Sequence, residues 1–166
     1  MKLIHKFKSP NFNKRKAKTI ILIIIHYTAI DSISESIKYL CSKKNKVSTH
    51  YLISNIGEIY NLVSDENRAW HAGQSYWNGM SDINSRSIGI ELDYSPSGKN
   101  NKFTNKLNSS LIYLIKKLVK KYKILSENIL GHSDIAPYRK VDPGRNFPWC
   151  QLENKQIVNQ IKKIKK

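Results

Sequence analysis

The stretch TIILIII, residues 19–25, runs straight into His26-Tyr27-Thr28. It is almost entirely β-branched and has no polar face, so it reads as a fully buried strand. Downstream, Ser32-x-x-Glu35 is a capping-box pattern ahead of a helix with Ile33, Ile37, Leu40 and Cys41 on one face. His50–Ser54 and Glu58–Val63 read as a hairpin around Asn55-Ile56-Gly57. Asn67–Asn84 is rich in Trp, Gly, Asn and Ser without a period, and reads as a long loop of the kind that carries function. Ser87–Asp93 alternates, with Ile88, Ile90 and Leu92 on one face and Gly89, Glu91 and Asp93 on the other. Leu107, Leu111, Leu114, Leu118 and Tyr122 mark a long amphipathic helix capped by Thr104. Ile129-Leu130 reads as a short strand leading into Gly131-His132. A proline-rich loop, Ala136–Trp149, follows, and a basic helix closes the chain with Ile157, Ile161 and Ile164 inward. Upstream, residues 1–18 form a basic, proline-containing arm, which leaves 19–166 as one domain. Helices and strands alternate, so the expected class is α/β, a single domain with a central mixed sheet flanked by helices.

At 166 residues the chain is long enough to bury a core without disulfide staples. Cys41 and Cys150 make no disulfide framework and have no C-x-x-C spacing. The run Ile20–Ile25 is far too short to span a bilayer, and Met1–Lys18 lacks the apolar stretch of a signal peptide. The expectation is therefore a cytoplasmic protein without a transmembrane segment, with the cell envelope as the alternative. Charge is the unusual quantity: 29 Lys+Arg against 12 Asp+Glu give a formal +17. Such a surplus suits nucleic acid, anionic membrane or acidic wall polymer, or reflects a lysine-rich proteome. No nucleic-acid-binding motif accompanies it, so no nucleic-acid partner is expected.

A catalytic zinc takes three protein ligands from His, Asp, Glu or Cys and leaves one position for water. His26 stands where the buried strand ends, His132 where a second strand ends, and Asp142 ten residues beyond His132 in the loop Tyr138–Gly144. Taken by themselves, these residues fit a ligand set or, equally, satisfied polar groups and a turn-forming Asp before Pro-Gly.

Several segments occur in a fixed order: IIHYTA (24–29), STHYLI (48–53), AWHAG (69–73), SIGIEL (87–92), GHSDIAP (131–137), RKVDPG (139–144) and FPW (147–149). Together they cover nearly the whole chain and resemble the N-acetylmuramoyl-L-alanine amidase family typified by AmpD and AmiD, which shares its fold with peptidoglycan-recognition proteins and a class of phage lysozymes. The resemblance implies a zinc site made by His26, His132 and Asp142. The phage branch uses cysteine as third ligand, so Asp142 places the chain on the AmpD-like side. Cys150 matches no ligand position. The resemblance also implies that Glu91 is the catalytic glutamate, taking a proton from the attacking water and returning it to the leaving amine. Lys140, two residues before Asp142, would set an ammonium beside the metal to stabilise an oxyanion. His50, Trp70, His71 and Asn84 stand at motif positions near the cleft and are candidate substrate contacts, while Trp70, Trp77 and Trp149 could equally plug the core.

The implied substrate is peptidoglycan, as free (anhydro)muropeptide fragments or as the intact sacculus. The implied bond is the amide between the muramic acid lactyl group and L-alanine. A peptidoglycan-recognition module without catalysis is the competing class. Such modules typically lose a ligand, whereas all three are kept here along with Glu91 and Lys140. A further reading of the basic surface is a hold on an anionic wall polymer.

Overall fold

The buried run becomes an interior strand, with a hydrogen-bonded neighbour on each side. The structure, a computed structural model, describes residues 2–158. In chain order its strands are β1 (Leu3–Ile4), β2 (Phe12–Lys14), β3 (Leu22–Tyr27), β4 (Tyr51–Ile53), β5 (Ile59–Asn61), β6 (Asn67–Ala69), β7 (Ser87–Leu92) and β8 (Ile129–Gly131). The α-helices are α1 (Ile33–Leu40), α2 (Ile83–Arg86), α3 (Asn105–Tyr122), α4 (His132–Ile135) and α5 (Trp149–Asn154). The main sheet is mixed, in the order β1-β5-β4-β7-β3-β8, and β2 pairs with β6 in a second, two-stranded sheet. β3 lies parallel to both β7 and β8, and β4 pairs antiparallel with β5 in the expected hairpin.

Each face of the main sheet has its own cover. Ile23, Ile25, Ile88, Ile90 and Leu92 point towards α3, meeting Leu107, Leu111, Leu114, Ile115 and Leu118. Each such side chain stabilises the fold by roughly 1.5–3 kcal/mol relative to exposure. The Thr104 hydroxyl accepts the Leu107 N–H and starts α3. On the opposite face, Leu22, Ile24 and Leu130 pack on Ala72, Ile83 and Ile135, and Leu52 packs on Ile37 and Leu40 of α1. The Ser32 hydroxyl caps α1 by accepting the Glu35 N–H. Burial of both faces is why residues 19–25 show no alternation.

Residues 1–18 contribute two strands. β1 pairs parallel with β5, and Ser9 and Asn11 are buried. The segment read as a loop between 67 and 84 contains β6, a bridge between Trp77 and Met80, and the start of α2. Strands as short as β6 leave no detectable period; pairing with β2 makes them. Of the apolar positions expected on a closing helix, Ile157 is buried, while Ile161 and Ile164 lie outside the described residues. Among the described residues no helix is long and apolar enough to cross a membrane.

Candidate metal centre and active site

Register places the chemistry. His26 at the end of β3 stands directly opposite Glu91 of β7, and Ile25 opposite Gly131 of β8. Side chains alternate along a strand, so Ile25 faces α3 while His26 and Glu91 share the other face. His132 follows as the first residue of α4, one step past the end of β8. Asp142 arrives on the loop after α4, where its carbonyl accepts the Ser133 N–H at 2.9 Å. The Asp142–Pro143 bond is cis. Gly131 lets this loop close down: a Cβ there would lie 2.5 Å from Pro143 Cδ.

These elements bring His26, His132 and Asp142 into one buried group able to hold a metal ion. His26 Nδ1 and His132 Nδ1 are 2.9 Å apart, and Asp142 Oδ2 is 3.0 Å from each. The protons of the two rings follow from their other nitrogens. His132 Nε2 faces the Ala72 carbonyl at 3.0 Å and must donate to it, which leaves Nδ1 a lone pair. Burial lowers the pKa of His26 to about 4, with the facing Asp142 opposing the shift, so this ring is neutral near pH 7. Two imidazole nitrogens and a carboxylate oxygen thus converge, a donor set that suits a divalent transition metal with an open position. The residues therefore fit a metal.

The group lies at the inner end of a cleft of about 360 Å³. Tyr27, Ala29, Tyr39 and Val141 line its walls, and Glu91, Lys140 and Arg139 supply ionisable groups. Glu91 Oε2 is buried without a hydrogen-bond partner. Burial, with the nearby Asp142 charge adding, pushes the Glu91 carboxyl up to about 8, and Lys140 opposes the shift. A carboxyl so placed exchanges a proton readily near neutral pH. Beside the cleft, Tyr76, Trp77, Tyr138 and Arg139 border a wider groove of about 820 Å³. The Tyr138 ring is fully exposed, and Arg139 belongs to both cavities.

The other candidates fall into different places. His71 is buried under the cleft with its Nδ1 3.0 Å from His26 Nε2. Asn84 Oδ1 accepts the N–H groups of His71 and Ala72. His50 is buried a layer deeper, accepting the Gly89 N–H at Nδ1, with Nε2 beside the Asn67 carbonyl and Arg15. Trp70 is apart from the cleft: its indole N–H donates to Asn13 Oδ1, beside the β2–β6 pair. Sequence reading missed Arg15, Ser87, Arg139 and Tyr138. Arg15 looked like one more cation of a basic segment, yet its guanidinium donates to the carbonyls of Asp65, Asn84 and Ser87. No local pattern marks such a residue, because its partners are 50–72 positions away.

The sequence matches the family model described as N-acetylmuramoyl-L-alanine amidase over residues 16–145. It is 40% identical to the N-acetylmuramoyl-L-alanine amidase AmiD of Escherichia coli over 151 residues, 83% of this chain and 54% of that protein. The chain thus spans about half the length of that curated relative. The fold superposes on a crystal structure of a selenomethionine AmpD derivative with a TM-score of 0.80 and 28% identity, covering 93% of this chain and 94% of the other. A complex of Escherichia coli AmiD with anhydro-N-acetylmuramic acid-L-Ala-D-γ-Glu-L-Lys gives a TM-score of 0.77 and 35% identity, covering 89% and 66%.

Proposed function

The chain belongs to the N-acetylmuramoyl-L-alanine amidase family, and from that premise we propose that it is a zinc-dependent amidase of peptidoglycan fragments. The scissile bond is the amide between the lactyl carbonyl of muramic acid and the nitrogen of L-alanine. The observation that carries this reading is the convergence of His26 Nδ1, His132 Nδ1 and Asp142 Oδ2 in a cleft shared with Glu91, whose Oε2 is buried without a hydrogen-bond partner.

His26, His132 and Asp142 would hold the zinc, which when bound polarises the carbonyl and makes water more acidic. Glu91 accepts a proton from the attacking water as the oxygen–carbon bond forms. It then delivers that proton to the alanine nitrogen as the carbon–nitrogen bond breaks, giving a muramyl carboxylic acid and a peptide with a free amine; the acid then passes the second water proton to the amine or to solvent. The Lys140 ammonium, on the cleft wall, stabilises negative charge on the carbonyl oxygen. The low-polarity surroundings that raise the Glu91 pKa also strengthen this interaction.

Anhydromuropeptide is the favoured substrate because AmiD, the relative with which this chain superposes closely, was crystallised with such a compound. The adjoining groove bordered by Tyr76 and Tyr138 suits the saccharide, since exposed aromatic faces stack on sugar rings while Arg139 links the groove to the cleft. Purified protein should release peptide carrying a new L-alanine amino terminus from anhydro-N-acetylmuramoyl peptide. Dipicolinate should stop the reaction and added zinc restore it. Full activity after exhaustive chelation, or none in the presence of zinc, would overturn the assignment. Parallel assays on intact sacculi distinguish a preference for fragments from one for polymer.

A further inference from the structure

His26 can offer Nδ1 to a metal only while its proton resides on Nε2, and one chain of hydrogen bonds decides this. It begins at a backbone carbonyl. The Ser87 hydroxyl donates to the Ile83 carbonyl at 2.7 Å, so its single proton is used. His71 Nε2 lies 3.1 Å from the same hydroxyl oxygen and must therefore be the donor. His71 is buried with the imidazoles of His26 and His50 packed edge-on against it, surroundings that disfavour a charged ring. With its proton on Nε2, His71 Nδ1 is an acceptor, and the partner 3.0 Å away is His26 Nε2. His26 must donate there, and its Nδ1 becomes a lone pair.

We propose that His71 is a positioning residue for the metal centre: through Ser87 and the Ile83 carbonyl it holds His26 as the Nε2–H tautomer, with Nδ1 turned to the metal. The inference rests on the metal reading given above and adds to it the group that sets the tautomer. The surroundings are built around this ring. A Cβ on residue 89 would lie 2.5 Å from His71 Cγ, so glycine at that point of β7 is what admits the imidazole. Asn84 Oδ1 holds the N–H groups of both His71 and Ala72. Ala72 in turn presents the carbonyl that orients His132. One dipeptide, 71–72, thus orients both metal-facing imidazoles, one by a side chain and one by a carbonyl. Outer partners of metal-bound histidines typically influence affinity 10–100-fold.

Two measurements test the proposal. Two-bond proton–nitrogen correlation spectra of the metal-free protein report which His71 nitrogen carries the proton. Nε2–H with a bare Nδ1 is expected, and an Nδ1–H ring overturns the relay whatever the protein binds. Zinc affinity is then read by competition with a chromophoric chelator. His71→Leu removes the acceptor and should weaken binding about 10–100-fold. His71→Asn, whose Oδ1 can replace Nδ1 as acceptor, should restore most of that affinity. Ser87→Ala, a smaller change, should weaken zinc several-fold and shift His71 towards the Nδ1–H form. Should His71→Leu fail to fold, the wild-type spectrum and Ser87→Ala decide. Equal zinc affinity in wild type, His71→Leu and Ser87→Ala overturns the positioning role alone. A wild-type protein that takes up no zinc removes the metal reading and the proposal together.

Discussion

The two faces of the central sheet are made by the same strands and do opposite work. Towards α3, β3 and β7 send Ile23, Ile25, Ile88, Ile90 and Leu92 into an apolar layer, at whose edge the Asp65 carboxylate accepts from Tyr51, Lys121 and Tyr122. Towards α1 and the 70–84 segment the same strands send Leu22, Ile24 and His26, then Gly89 and Glu91. Here the apolar layer gives way at the strand ends to buried polar groups, among them His26, His50, His71, Asn84, His132 and Asp142. Stabilisation on the first face comes from non-directional burial and tolerates repacking. On the second it depends on each polar atom finding its partner, and an unmade hydrogen bond there costs about 1–3 kcal/mol. The difference teaches that rigidity for catalysis is borrowed: the α3 face anchors the strands whose ends carry the site.

The sharpest way to break the contrast is to disable one face without touching the other. Glu91→Gln keeps volume and removes the proton acceptor, so kcat should fall about 10²–10⁴-fold while zinc content and melting temperature hold. A variant retaining more than a tenth of wild-type kcat would remove Glu91 from the mechanism. The reverse experiment is Leu111→Ala on α3, which should cost about 2–5 kcal/mol in urea unfolding. Its kcat should match wild type at temperatures where it is folded, and a kcat loss there would show the faces to be coupled.

Acid separates the faces in a third way. Burial holds His50 down at about 3 and His71 well below its ordinary value, with Arg15 depressing His50 further and the His26 charge depressing His71. Their folded pKa values are below the unfolded value, about 6.5. Below that pH the unfolded chain binds protons that the folded protein refuses, so stability is full above about 6.5 and declines as pH falls towards 3. Each histidine should contribute a slope approaching 1.4 kcal/mol, roughly, per pH unit. Urea unfolding of metal-free protein between pH 6.5 and 5 should show this decline, with His26 adding to it and Glu91, whose raised pKa favours the folded protein as pH falls, partly offsetting it; a flat profile would contradict neutral burial. The smallest effect is expected at the edge of the site face. Tyr138→Ala should raise KM for anhydromuropeptide by a few-fold with kcat unchanged, as suits one exposed aromatic contact of about 0.5–1.5 kcal/mol. An unchanged KM would detach the outer groove from substrate binding.

Much of this contrast was legible along the chain. The alternation of Ser87–Asp93 separated Ile88 and Ile90 from Gly89 and Glu91, and the period of Leu107, Leu111, Leu114 and Leu118 identified the helix opposite. The Ser32 and Thr104 caps read correctly, because capping is settled within one turn. Segments that are strands only through distant pairing did not show themselves: β2 and β6 are three residues each and hold each other. Trp70 illustrates the limit at the site. It adjoins His71 in sequence, yet the two indole and imidazole rings leave the chain in different directions, one to Asn13 and the other to His26.

From its sequence alone the protein had a buried central strand, an alternating second strand, the apolar stripe of α3 and a set of motifs whose resemblance singled out His26, Glu91, His132, Lys140 and Asp142. These are properties of local period and of residue type, and both are written in order along the chain. Tertiary structure decided that His26 and Glu91 stand in register, that Gly131 admits the loop bearing Asp142, and that His71 reaches Ser87 as well as His26. Those are relations across 12 to 65 positions. Only strand register and close backbone approach bring such groups within 3 Å, the range over which hydrogen bonds and metal ligation act.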